Sequence, residues 1–313
     1  MNKHKRNKRN IYYAKILIAI SLALLCYGLI LDINNEVRLI DPIKGVRPIN
    51  DDNGKYTSVD KNNNNNNNNG NNNQNNTQTN FSNIEDANNS IRKTLEKKYD
   101  ITIKYGSETS GYEVGGLTTT EISDSETVNK ALKDLDDVLG LYPSGLFKEI
   151  KNGGIPLTIY LINNYDEELV TGATDSNYIF ADISVAVIFP MDETFFHESY
   201  HYIERYIFKK GLTFNELMWN SNNPPEFTYG NVVADYSYKN TLSENSYFVN
   251  NYAQTAAEED RASTFEYMMA KTKASCLNAN KPVWKKATIM SKNIDAALNT
   301  VSPNVTEYWE RHL

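Results

Sequence analysis

Two of the four histidines in this chain lie four residues apart, in the segment HESYH over residues 197–201. Residues at this spacing lie above one another on one face of an α-helix, where both imidazoles can bind a single metal ion. The glutamate after the first histidine would then be placed to take a proton from a metal-activated water. The segment therefore predicts a helix, and the chemistry that it predicts is peptide-bond hydrolysis.

The flanking residues predict where this helix begins and which face it buries. Pro190 precedes Asp192, which we expect to cap the helix, and Glu193 falls in the first turn. An apolar stripe at helical spacing follows, formed by Phe196, Tyr200, Ile203 and Ile207. Because the histidine face lies beside this stripe, we expect both histidines to be half buried at the edge of the core. The alternative is a helix whose histidines only bond to neighbouring groups.

A catalytic zinc ion usually has three protein ligands and a water, so two histidines do not complete a site. No third histidine lies in the central region of the chain, and the third ligand must therefore be a carboxylate. Residues 251–269, NYAQTAAEEDRASTFEYMM, predict a loop followed by a second helix. Thr255 and Glu258 have the spacing of a capping box, which favours Glu259 as the ligand. Periodicity alone does not decide between the two glutamates.

An HExxH motif followed by a carboxylate on a later helix resembles the gluzincin metallopeptidases. The segment over 251–269 resembles the ligand helix of the anthrax lethal factor protease domain and of the bacterial Pro-Pro endopeptidases. The resemblance implies that one Zn²⁺ ion per chain is bound by the following residues: His197, His201 and Glu259. It also implies Glu198 as general base and Tyr252, seven residues before the ligand glutamate, as stabiliser of the oxyanion.

Two positions depart from the family pattern. Tyr200 stands where the lethal factor pattern often has glycine, and Ser263 stands where many gluzincins have a second acid. A carboxylate that orients a ligand histidine must then come from elsewhere. Three acids are candidates for this part: Asp260, Glu266 and Glu204.

The fold class implied by the resemblance is α+β. It is a zincin-like metalloprotease fold, with a small mixed sheet over the HExxH helix and a helical C-terminal part. Periodicity and residue content predict helices over 84–99, 125–139 and 282–298, and strands over 101–105, 155–162, 177–182 and 184–189. Zincin folds pair an extended substrate with an edge strand above this helix, which implies residues 177–189 as that strand. Ordinary core sheet is the alternative for the same residues.

The residues between the histidines and the ligand glutamate include a segment, 220–230, that resists regular structure. A long insertion between ligands would border the active-site cleft. It is either a lid or specificity wall, or an ordered surface loop.

The N-terminus indicates where the chain is located. Residues 1–15 carry six Lys or Arg and no acid, and residues 16–31 form an apolar run, as in a signal sequence or signal anchor. We favour an uncleaved single-pass anchor in a bacterial cell membrane, with all later residues outside; the alternative is a cleaved signal and a secreted protein. Residues 32–80 are polar with an Asn-rich tract, which predicts a flexible stalk for a zinc metallopeptidase domain over 81–313.

Charge limits the partners of the chain beyond its basic N-terminus. After the first fifteen residues, 26 Lys and Arg face 39 Asp and Glu, a net charge of −13. Such a surface repels nucleic acid and anionic lipid, so we expect a protein or peptide substrate, membrane contact through the N-terminal segment only, and a monomer. The single cysteine after residue 31, Cys276, excludes an internal disulfide.

The sequence as a whole predicts a zinc-dependent endopeptidase at the bacterial cell surface. There is no Walker loop, no GxGxxG and no CxxC, and any serine or cysteine mechanism would need one of the two motif histidines. One alternative is a surface binding module that keeps zinc only as a structural staple. Another is a hydrolase of peptidoglycan cross-links.

Overall fold

The computed structural model describes residues 45–48, 74–166, 170–212, 216–230, 247–270, 273–274, 277, 281–302 and 305–313. The predicted basic tail, apolar run and Cys276 lie outside these residues. Within the described part of the chain, no helix is both long and apolar enough to cross a membrane.

Eight strands are described: β1 (Gly45–Pro48), β2 (Thr102–Lys104), β3 (Glu113–Val114), β4 (Leu117–Thr120), β5 (Leu157–Ile162), β6 (Asn164–Tyr165), β7 (Val170–Ser176) and β8 (Ala181–Ala186). Seven α-helices are described: α1 (Gln74–Tyr99), α2 (Ser125–Leu139), α3 (Leu146–Asn152), α4 (Met191–Lys209), α5 (Glu216–Asn220), α6 (Ala257–Met269) and α7 (Pro282–Ala297). Short 3₁₀ turns include Tyr252–Gln254 and Tyr308–Glu310.

The larger sheet is mixed and has the order β1-β7-β8-β5-β2. Strands β2, β5 and β8 run parallel, whereas β7 is antiparallel to β8 and β1 is antiparallel to β7. Side chains of β5 and β8 are buried on both faces, as expected for parallel strands covered on each side. The smaller sheet has the order β3-β4-β6. The expected α+β class with a small mixed sheet is confirmed.

The predicted strands have a mixed outcome. Strands over 101–105 and 155–162 are confirmed, with slightly shorter bounds, by β2 and β5. The strand over 177–182 is wrong, because the Asn177 side chain accepts hydrogen bonds from the backbone N–H groups of Ile179 and Phe180 and closes a turn between β7 and β8. The strand over 184–189 ends early, at Ala186.

The predicted substrate-binding edge over 177–189 is also wrong. Strand β8, which contains most of its regular structure, lies between β7 and β5 in the interior of the sheet. A strand paired on both sides has no free backbone groups for a substrate.

The predicted helices are present. The helix over 125–139 is confirmed by α2, where the Asp124 side chain accepts hydrogen bonds from two backbone N–H groups of the first turn. The helix over 84–99 forms part of α1, and the helix over 282–298 is α7. Residues 221–230 after α5 lack regular structure, as predicted.

Two parts of the predicted stalk have regular structure. Strand β1 joins the larger sheet, and α1 begins at Gln74. The chain divides into a unit over Met1–Ile43, outside the described residues, and a unit over Lys44–Leu313, which contains every described residue. Strand β1 therefore belongs to the same unit as the helices.

The HExxH helix α4 is buried on all sides. Every residue from Thr194 to Ile207 is buried, with β7 and β8 on one side and α6 on another. Its start differs from the prediction, because Pro190 is the residue before the first turn and Asp192 lies inside the helix without capping it. Asp192 and Glu193 still place negative charge at the N-terminus, which favours the helix dipole.

Asp295 on the C-terminal helix α7 should make the stability of the fold depend on pH. Burial, together with the nearby charges of Glu310 and Glu307, raises the pKa of Asp295 to about 6. A carboxyl group whose pKa is raised on folding stabilises the fold below its ordinary pKa, and this contribution is lost as the pH rises through 6. Asp295→Asn should therefore match the parent near pH 4 and melt on the order of 2 °C higher at pH 7.5.

Thermal melting between pH 4 and 8 measures this effect. The control is Asp86→Asn, at an exposed position of α1. A difference between Asp295→Asn and the parent that stays constant with pH would contradict the prediction.

Candidate metal centre

Helices α4 and α6 bring the three predicted ligands together. Glu259 Oε2 lies 3.0 Å from His197 Nε2 and 3.7 Å from His201 Nε2. One ligand atom of each residue lies within 4.8 Å of the others. The fold therefore brings two imidazoles and one carboxylate close enough together to bind one metal ion.

All three ligands are buried. Both histidines have 0% exposed surface and Glu259 has 5%, so the prediction of half-buried histidines at the core edge is wrong. The reason is that α4 is covered by the sheet and by α6 at the same time, whereas the sequence indicated one apolar stripe.

The polar atoms of this group fit a metal ion. Among the described residues, His201 has no hydrogen-bond partner at either ring nitrogen, and the Nε2 atoms of His197 and His201 face the same oxygen of Glu259. A buried polar atom without a partner is costly, and coordination to a cation removes that cost. The donor set fits a divalent metal.

The pKa values of His197 and Glu259 show that the histidines and the carboxylates of this site interact strongly. Burial alone would lower the pKa of His197, but the carboxylates of Glu259 and Glu266 raise it to about 9. Burial would raise the pKa of Glu259, but the neighbouring charge of His201 and the hydrogen bond with His197 lower it to about 2. These opposite shifts are those expected of a buried imidazole and a buried carboxylate in contact.

The start of α6 decides between the two candidate glutamates. Glu259 points into the group with the histidines, whereas Glu258 is partly exposed. The predicted capping box between Thr255 and Glu258 is wrong. Helix α6 follows Ala256, and the Thr255 hydroxyl donates instead to the Tyr252 carbonyl in the preceding 3₁₀ turn.

Small side chains let α6 approach α4 closely. Ala262 and Ser263 follow Glu259 on α6 and are fully buried. Tyr200, where the family often has glycine, packs its ring against Phe265 with centroids 5.2 Å apart. The tyrosine is therefore accommodated in the core between the two helices.

Glu198 lies beneath strand β7. The Thr174 hydroxyl donates to Glu198 Oε2 at 2.7 Å, while Glu198 Oε1 has no hydrogen-bond partner among the described residues. Burial raises the pKa of Glu198, and the positive charges of the two histidines oppose that effect. The arrangement fixes one oxygen and leaves the other free to accept a proton.

A glycine allows this close contact. A Cβ atom on Gly172 would lie 2.4 Å from Thr194 Cγ2 and 3.1 Å from Glu198 Oε1. Gly172 and Thr174 are site residues that the sequence analysis missed. A glycine inside a strand is the one signal that indicated a close approach of the backbone.

Tyr252 lies beside the candidate ligands. Its ring centroid is 5.9 Å from that of His197, and its side chain is largely buried in the 3₁₀ turn before α6. The predicted seven-residue spacing to Glu259 thus brings the tyrosine to the site. Its part in the chemistry stays a prediction.

Of the three acids considered as partners of a ligand histidine, Glu266 faces one. Glu266 Oε2 lies 3.6 Å from His197 Nδ1, and Lys273 donates to Glu266 Oε1 at 2.7 Å. Asp260 instead accepts hydrogen bonds from three other side chains: Trp219, Tyr229 and Lys286. Glu204 pairs with Arg261. Glu266 is therefore placed to orient His197.

Comparison with protein-family models, with curated proteins and with solved structures gives no match for this chain. The resemblance to gluzincins therefore rests on the motif and on the segment that contains Glu259.

The site generates a prediction on metal content. His197→Ala, His201→Ala and Glu259→Gln should each remove most of the bound metal, because each deletes one donor of the buried group. Glu258→Gln is the matched control, since it changes the adjacent carboxylate outside that group. Metal analysis of the purified chains gives the answer, and equal loss from both glutamate variants would contradict the assignment.

Proposed function

We propose that this protein is a zinc-dependent endopeptidase. The observation that carries the proposal is Glu198, which stands next to a buried His-His-Glu group with one oxygen bonded to Thr174 and the other free. Two imidazoles and one carboxylate are a typical donor set of catalytic zinc sites, which keep a further position open. A zinc ion held there would supply Lewis-acid activation of a water and of the scissile carbonyl.

Each residue around the site would then have a separate role in hydrolysis. Glu198 accepts the proton of the attacking water and delivers it to the leaving amine, so its carboxylate is regenerated after each turnover. Thr174 holds the Glu198 carboxylate in place. Glu266, whose Oε2 lies 3.6 Å from His197 Nδ1, would orient the ring of His197. Tyr252 donates a hydrogen bond to the oxyanion that develops on the substrate carbonyl.

The proposal extends to location and partners. The basic and apolar N-terminus supports a single-pass anchor with the enzyme outside a bacterial cell, or a secreted enzyme if the signal is cleaved. The acidic balance supports a protein or peptide substrate and no nucleic acid. We propose that the enzyme acts as a monomer.

A second candidate is a surface module in which zinc only stabilises the fold. Glu198 argues against it, because a structural site has no use for a buried carboxylate with an unbonded oxygen. A peptidoglycan cross-link is a peptide bond as well, and the same residues would cut it. Profiling against peptide libraries and cell-wall fragments separates these substrates.

Glu198→Gln should keep the metal and the fold but abolish hydrolysis, because an amide does not accept the proton of the water. The measurements are metal content, melting temperature and cleavage of a peptide library. His197→Ala, which should lose metal and activity together, is the comparison. Activity that survives in Glu198→Gln would place the base elsewhere.

Tyr252→Phe should lower kcat about 10²-fold, the usual cost of losing one oxyanion donor. The hydrogen bond forms mainly in the transition state, so KM, metal content and melting temperature should stay close to those of the parent. Tyr206→Phe, which removes a hydroxyl near Glu149 and far along α4, is the control. An unchanged kcat in Tyr252→Phe would exclude the oxyanion role.

A further inference from the structure

Strand β1 lies along the side of β7 that would otherwise be the edge of the larger sheet. The two strands run antiparallel, with Gly45 opposite Thr174, Val46 opposite Ala173 and Arg47 opposite Gly172. A segment far upstream of the HExxH helix thus supplies the outermost strand next to it.

The residues of β7 that β1 faces are those that contact Glu198. Thr174 bonds to the Glu198 carboxylate, and a Cβ atom on Gly172 would lie 3.1 Å from Glu198 Oε1. Strand β1 also contacts α4 itself. The segment therefore lies across the edge of the sheet directly at the candidate base.

Strand β1 is built to pair weakly. It has four residues, and its register with β7 shifts between Arg47 and Pro48. Pro48 has no N–H group to donate, and Gly45 loses more conformational entropy in a strand than other residues do. Among the described strands, β1 pairs on one side only, since it is the terminal strand of the sheet.

The site is closed in this conformation. His197, Glu198 and His201 have no exposed surface, yet a hydrolase has to admit both water and substrate to these groups. An edge strand with free backbone groups is also where an extended peptide adds to a sheet. Strand β1 occupies that position on β7.

We propose that residues 45–48 act as an intramolecular inhibitory strand, which must leave β7 before an extended peptide substrate pairs with it. This inference rests on the proposed peptidase function. Its new element is that the chain's own residues 45–48 occupy the edge of β7 and hold the enzyme in a closed state.

The test uses the full chain with proline scanned through β1. In an antiparallel pair, alternate residues direct their N–H groups at the partner strand, so one of the neighbours Gly45 and Val46 donates to β7 and the other does not. Gly45→Pro and Val46→Pro are therefore matched variants, of which one removes a ladder hydrogen bond. Asp52→Pro, outside residues 45–48, is a further control.

The first readout is hydrogen exchange of the backbone amides of residues 170–176, which needs no activity. The ladder-breaking variant should exchange several-fold faster in this segment than its neighbour variant and the control. A synthetic peptide with the sequence of residues 44–50, added in trans, should restore the protection. Equal exchange in all chains would overturn the proposal.

The second readout is KM for a peptide selected from a random library. If β1 occupies the edge about 90% of the time, releasing it should lower KM about tenfold with little change in kcat. Faster exchange with an unchanged KM would make β1 a structural strand and overturn its inhibitory role. Cleavage of the parent chain within residues 45–48 would also overturn it, because the segment would then be a substrate.

The two proposals fail in different ways. If no chain hydrolyses any peptide but the added peptide still restores protection of β7, the peptide-binding edge is supported and the peptidase proposal fails. If peptides are hydrolysed and exchange does not respond to either proline, the peptidase proposal stands and the inhibitory strand is excluded.

Discussion

The structure depends on the burial of several charged groups between α4 and α6. Three acids in this region each have a basic partner: Glu204 with Arg261, Asp260 with Lys286 and Glu266 with Lys273. Glu198 and Glu259 face the two motif histidines instead. Buried charges are tolerated when they are paired, and a metal ion bound by this remaining group would complete the balance. The same pairing of buried charges therefore permits the close packing of α4 and α6 and forms the candidate metal site.

The ligand set could be predicted because it depends on local geometry. The spacing of His197 and His201 on one helix fixes their common face, and the absence of a nearby third histidine requires a carboxylate. The choice of Glu259 was favoured by a capping box that does not form, because the Thr255 hydroxyl is used by the carbonyl of Tyr252. The prediction reached the residue that the structure places in the group, but its supporting argument was wrong. What remains in favour of Glu259 from the sequence is the resemblance of residues 251–269 to the gluzincin ligand helix.

The residues around Glu198 could not be predicted, because their contacts are tertiary. Strand β7 reads VTGATDS, with polar residues and a glycine where an apolar alternation would mark a strand. Its polar residue Thr174 is buried because Glu198 needs a donor, and Gly172 is required because Thr194 lies directly against it. Residue content therefore predicts strands over 177–182 and 184–189, which are more apolar and aromatic, and not over β7. Its first residues form the turn at Asn177.

The position of β7 also explains how such a site could act on peptides of varied sequence. Main-chain pairing holds a strand by its backbone, and side chains enter only through the alternation of the two faces. Because Thr174 and Gly172 belong to the strand proposed to pair with the peptide, the register of that pairing would set the distance from the scissile bond to Glu198. A slip of one residue would turn every peptide side chain to the opposite face. Selectivity in such a site therefore arises from what fixes the register, and the same pairing that positions a substrate is available to the chain's own segment at β1.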